Sequence, residues 1–194
     1  MKIGLGIGIC SSGGGLPSIA TFYGSDVYHL DPALQVTKDG GDRVSAWVDQ
    51  SKGQTISRGG VGNEPLWLAS ATPAGKPAMH LDATNRFFTA SLADLFSTSN
   101  FTLVAVVKEI AATYWFQRSD AGQTAATSHQ LRAQGGLTTY TSNTVNCTAG
   151  AQDTTNFRVL AWRIGAASFG GALTTKECLI NGVAASLTGS PVFP

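Results

Sequence analysis

Apolar residues recur at every second position in short runs along most of the chain. Turn-forming Gly, Pro, Asn and Asp interrupt these runs before a long helix could form. At the N-terminus Ile3, Leu5, Ile7 and Ile9 alternate with Gly4, Gly6 and Gly8, so one strand face is apolar and the other carries no side chains. A bare glycine face lets another backbone approach closely. The segment is therefore either a first strand within its own domain or an arm that adds to a neighbouring subunit by strand addition. Ser11–Gly15 reads as a flexible linker, which divides the chain into an arm and linker over 1–15 and a body over 16–194.

Within the body, Val27–Leu30 is a strand candidate ended by Asp31-Pro32, and Asp39–Asp42 is a turn. Arg43–Val48 alternates, which predicts Val44, Ala46 and Val48 on one side and Arg43, Ser45 and Trp47 on the other. Leu66–Ala69, Ala78–Leu81 and Asn85–Ala90 are further strands, and Ser91 opens one helical turn over Leu92, Leu95 and Phe96. Phe101–Val107 is apolar on both faces except at Thr102, the pattern of a central strand covered on both sides. Tyr114–Gln117 and Gln130–Ala133 read as strands, while Ser119–Thr155, rich in Thr, Ala, Gln, Asn and Gly, reads as short exposed strands with mobile turns. Phe157–Ile164 puts Leu160 and Trp162 on one face, and Lys176–Ile180 runs into Asn181-Gly182, a two-residue hairpin signal that requires positive φ.

Composition narrows the function classes. The 194 residues are 43% hydrophobic and only 13% charged, with a formal net charge of +1. That balance gives no electrostatic case for binding nucleic acid or an anionic membrane face. No apolar run approaches the roughly 20 residues of a membrane span. The first residues superficially resemble a secretion signal, but glycine at alternate positions weakens the helix such a signal adopts. Cys10, Cys147 and Cys178 are odd in number and widely spaced, which points to reduced, partly buried thiols rather than a disulfide framework or zinc ligands.

The order of four motifs carries a family resemblance. They are W-x-D-x-S-x-G (Trp47, Asp49, Ser51, Gly53), K-P-A-x-x-x-D (Lys76–Asp82), F-T-L-V-A-V-V (Phe101–Val107) and L-x-N-G-V (Leu179–Val183). Together they resemble the concanavalin A-like, laminin-G-type jelly-roll domains, which occur often in tailed-bacteriophage virion proteins and bacterial surface proteins. The resemblance spans roughly Ser25 to Ser186. It implies an all-β, two-sheet antiparallel jelly-roll sandwich whose binding is done by loops and the concave face. Lys52 stands where the family commonly has glycine. Such domains also continue past the Asn-Gly hairpin with further strands, so the sequence reads as a sandwich lacking its last strands, with the glycine-rich arm a candidate to fill the open edge.

Candidate chemistry is sparse. Glycan hydrolases on related folds need two nearby carboxylates, yet Glu64, Glu109 and Glu177 are isolated and no strand carries two acids at alternating spacing. His29, His80 and His129 form no zinc-binding spacing, G-x-S-x-G is absent, and Gly4–Gly8 lacks the strand and helix that flank a phosphate loop. Asp82 and Asn85 are candidate calcium oxygens, too few for a site by themselves and equally suited to local turn bonds. Trp67, Tyr114, Trp115 and Phe116 offer flat faces for sugar stacking or for core packing. Trp115 is the candidate glycan contact because both its neighbours should face the other way.

These features lead to a non-enzymatic virion structural protein, tail- or fibre-associated or capsid-decorating, with its jelly roll displayed outward. Ile3–Ile9 would anchor it to another virion protein, as part of a homo-oligomer, without nucleic acid, membrane or an obligatory cofactor. The alternative is a glycan-binding lectin module of a bacterial surface protein, in which a host-surface glycan would be the ligand.

Overall fold

Among the described residues the alternating runs form strands. In the computed structural model, residues 2–4, 30–50, 53–58, 62, 64–81, 88–89, 100–109, 114–118, 129–142, 145–167 and 172–189 are described, with backbone only at 2–4, 88–89, 100–101, 114–118, 129–130, 132, 134 and 142. Among them there is no helix, and within each of the chain's two units the strands pair antiparallel. The protein is thus all-β. The expected strand over Val27–Leu30, apart from Leu30, and the helical turn after Ser91 lie outside the described residues. The chain divides into two compact units, Lys2–Ser97 and Thr98–Pro194.

The first unit holds β1 (Lys2–Gly4), β2 (Val36–Lys38), β3 (Val44–Val48), β4 (Thr55–Arg58), β5 (Leu66–Leu68), β6 (Ala78–His80) and β7 (Phe88–Thr89). Strands β1, β6 and β5 lie side by side in that order, and β2-β3-β4-β7 form a four-stranded sheet. Val44, Trp47, Ile56 and Met79 make its core, with Leu30, Val36 and Trp67 packed against them. Trp47 corrects the alternation expected over Arg43–Val48. It is buried with Val44, three residues away, because Lys38 pairs with Val44 while Thr37 pairs with Ala46. Ser45 is therefore an extra residue on β3, and this bulge shifts the inward phase by one position. The Trp47 indole N–H donates to the Asp31 carbonyl at 3.0 Å, which satisfies its buried polar atom.

The second unit holds β8 (Asn100–Lys108), β9 (Tyr114–Arg118), β10 (His129–Gln134), β11 (Leu137–Ser142), β12 (Val145–Ala151), β13 (Arg158–Ala166), β14 (Leu173–Ile180) and β15 (Val183–Ala184). One run of paired strands is β15-β14-β13-β8 and another is β12-β11-β10-β9. Their buried faces meet where Tyr140 of β11 lies against Trp162 of β13, ring centroids 6.2 Å apart. Leu160 and Trp162 face inward as expected from the sequence, with Ile164 on the same face, and Val159 just before them is 41% exposed. The Asn-Gly hairpin also forms as expected, with φ of 52° at Asn181 and 81° at Gly182. Its Asn181 carboxamide oxygen accepts from the Val159 N–H at 2.8 Å, tying the turn to the neighbouring strand.

Two expectations need correction. Within the threonine-rich stretch β11 is a core strand, with Thr138, Thr139, Tyr140 and Thr141 all buried and both its faces covered, whereas Leu137, Val145, Asn146 and Ala151 are exposed as expected. Threonine suits this because its branched Cβ fits the pleat and its hydroxyl can bond inside. Conversely, Val104 and Val106 on the second face of β8 are half-buried, where full cover on both sides was expected.

Packing around Trp162 sets the stability of this unit. Trp162→Ala is expected to cost about 3–5 kcal/mol, as large-to-small core changes do, and Val159→Ala less than about 1 kcal/mol. Urea denaturation midpoints of the two variants check the difference.

Candidate functional site

The residues singled out from the sequence do not converge. Lys2–Gly4 pair with β6 of their own chain, Lys2 opposite His80 and Ile3 opposite Met79, while Leu5, Gly6, Ile7, Gly8 and Ile9 lie outside the described residues. Asp82 and Asn85 also lie outside them. Trp115 is placed by its backbone alone: Leu131 pairs with Phe116 and Arg132 with Tyr114, which leaves Trp115 as the extra residue of a bulge on β9. Strict alternation with Tyr114 and Phe116 does not hold across such a bulge. Trp67 is half-buried. Its indole N–H donates to the Pro32 carbonyl at 2.7 Å, and the Lys38 ammonium sits 3.7 Å from the centre of its ring, covering one face by cation–π attraction.

The three glutamates are each held by an arginine of the same unit. Glu64 takes Arg58 at 2.7 Å, Glu177 takes Arg163 at 3.5 Å, and Glu109 takes Arg158. Hydrogen bonds from its own backbone N–H and from Gly62, together with Arg58, hold the Glu64 carboxyl below the usual carboxylate range against the effect of desolvation. The Arg163–Glu177 pair lies on the surface, whereas Glu109 is fully buried and Arg158 only 7% exposed.

Glu109 follows β8 directly, and Arg158 opens β13 opposite Val107, so the β8–β13 ladder brings the two side chains together. The Thr138 hydroxyl of β11 lies 3.0 and 3.1 Å from the two carboxylate oxygens of Glu109. One Arg158 nitrogen donates to both Glu109 and Thr138, and the other donates to the Ala151 carbonyl of β12 at 2.8 Å. The Asp153 N–H reaches Glu109 Oε2 at 3.3 Å, and the Glu109 N–H donates to the Asp153 carbonyl at 3.0 Å. The cluster therefore joins both facing sheets to the turn after β12. The Asn156 and Thr155 N–H groups bond the Asp153 carboxylate at 2.8 Å and lower its pKa.

Chemically this cluster is a clamp. The Glu109 carboxylate accepts from a guanidinium, a hydroxyl and a backbone amide, donors that replace the water its burial removes. Among the described residues, no group of three or more His, Cys, Asp or Glu could hold a metal ion. Sequence reading passed over the clamp because its members stand 49 residues (Arg158) and 29 residues (Thr138) from Glu109. The available signal was a charged residue at one end of each long apolar strand, Glu109 after Lys108 and Arg158 at the start of β13.

Glu109→Gln should destabilise the protein by about 3–5 kcal/mol, since it leaves Arg158 buried without a counter-charge. Glu177→Gln on the exposed pair should cost about 0–1 kcal/mol. Chemical denaturation of both variants tests the contrast. The Asp153 carboxyl titrates below its ordinary 3.8 in the folded state, so its stabilising contribution is complete above that pH and is lost as pH falls through the lowered value. Asp153→Ala should therefore flatten the acid limb of stability against pH, measured by urea midpoints at a series of acidic pH values.

No protein-family model matches the chain, and no match was found among curated proteins or solved structures.

Proposed function

We propose that the chain is a non-enzymatic structural protein of a tailed-bacteriophage virion, a concanavalin A-like jelly roll displayed outward on the tail, a fibre or the capsid. The observation that carries the non-enzymatic part is that all three glutamates are engaged by arginines within their own units, one of them deep in the core. Glu109, fully buried and clamped, holds strands together and is poorly placed to exchange protons with a substrate. Two antiparallel sheets with their buried faces in contact, in Thr98–Pro194, are in keeping with the jelly roll that the motif order resembles. The virion setting rests on that resemblance.

The partners are other virion proteins and further copies of this chain, engaged through the N-terminal arm. Lys2–Gly4 pairs with β6 of its own chain, and the anchoring reading is that a neighbour's arm takes the same place by strand exchange. Deleting residues 1–10 should leave the body folded by circular dichroism and abolish incorporation into particles. Gly6→Val should weaken incorporation by blocking close backbone approach. Incorporation of the deleted chain at normal copy number removes the anchoring role.

A glycan-binding module is the second reading, favoured by the bulge at Trp115, since bulges re-aim side chains beside binding sites. A glycan array with and without calcium separates the two. Binding lost in Trp115→Ala supports the lectin, and silence across the array under both conditions removes it.

A further inference from the structure

We propose that the outward face of β8, β13, β14 and β15 is a docking surface for a second copy of this chain, joined about a two-fold axis. The ladders set its residues in rows. Val106 stands opposite Val159 in the first row. Val104, Ala161, Leu179 and Ala184 make the second, and Thr102, Arg163 and Glu177 the third. Alternation along the strands sends these residues away from the face that carries Leu160 and Trp162. Val159 and Leu179 are 41% and 39% exposed, Ala184 is exposed, and Val104, Val106 and Ala161 are half-buried. The outer face of an antiparallel sheet is ordinarily polar. Here two adjoining rows are apolar, and the charges are confined to the third.

A second copy is the occupant because the face complements itself. The midline of these strands runs between β13 and β14. A two-fold axis laid along it, parallel to the strands, sets β13 over the partner's β14 and β8 over the partner's β15, and keeps each row facing itself. Arg163 then meets the partner's Glu177, and Glu177 meets the partner's Arg163. Leu179 meets the partner's Ala161 and Val104 meets the partner's Ala184, so each larger side chain lies over a smaller one, as interdigitating layers require. The exposed Arg163–Glu177 pair of each copy becomes half of a four-charge network. An axis across the strands would instead set these charges against like charges or against the apolar first row, and both cost free energy.

The size of the face sets the strength of the contact. Three rows on four strands cover about 19 Å by 20 Å, roughly 400 Å². A standard interface buries about 800 Å² on each partner. The dimer is therefore weak, and it forms where copies are concentrated or held side by side. It does not use the N-terminal arm and does not rest on the proposed virion role.

The test is sedimentation velocity on the full chain from about 10 μM to about 1 mM, the range in which so small an interface associates. The expected result is a reversible monomer–dimer equilibrium. Leu179→Asp and Arg163→Glu each weaken it at least about tenfold, and the swapped pair Arg163→Glu with Glu177→Arg restores it. Circular dichroism checks that each variant keeps the parent fold, and Leu179→Ser replaces Leu179→Asp should the latter unfold. A monomer at every concentration overturns the proposal. So does a dimer that none of the substitutions weakens, since it joins through another surface such as the arm. Failure of the swapped pair to restore association, or weakening by Leu179→Asp with no response to Arg163→Glu, overturns the two-fold placement.

Discussion

A carboxylate with no exposed surface survives in a protein only where donors replace the water it has lost. Glu109 meets that condition through Arg158, Thr138 and the Asp153 amide, which come from three places in the chain. The constraint is mutual, because the guanidinium of Arg158 is as costly to bury alone as the carboxylate is. Sheet pairing, sheet facing and the turn after β12 must all be correct before either charge is satisfied. The apolar counterpart is the Tyr140–Trp162 contact, which fills the space between the same two sheets without fixing their register. Charge thus supplies specificity at one end of this interior, and aromatic area supplies most of the attraction.

Bulges and a short strap finish what the ladders begin. Ser45 turns Trp47 into the core of the first unit, and the extra residue at Trp115 breaks the alternation of β9. The 185–189 strap bonds to the flanks of β14 and β12, which would otherwise leave backbone donors and acceptors open there. That closure depends on one glycine, since any side chain at Gly189 would collide with backbone. Cys147 and Cys178, the cysteines among the described residues, lie buried on the strands that the strap bonds to.

Five of the described acidic side chains are committed to structural contacts. Glu64, Glu109 and Glu177 neutralise arginines, and Asp39 and Asp153 cap turns through their carboxylates. The proposed role in display and attachment takes these contacts as structural. Such a role draws on surface shape and strand edges, which is why the arm and the bulged strand are the features on which the proposed partners depend.

The sequence by itself determined the strand content and the positions of most turns. Period-two alternation over Phe157–Ile164 and the Asn181-Gly182 pair are local signals, and local sterics enforce them wherever the chain goes. Tertiary structure decided the rest. Which face of β3 is buried depended on an extra residue at Ser45 that only pairing with β2 defines. Burial of Thr138–Thr141 depended on neighbours that composition does not reveal, since threonine reads as polar but packs as a branched strand residue. The clamp and the strap were invisible for the same reason. Their members are far apart in sequence, and no local rule can name the partner of a charge or the resting place of a glycine until the sheets have met.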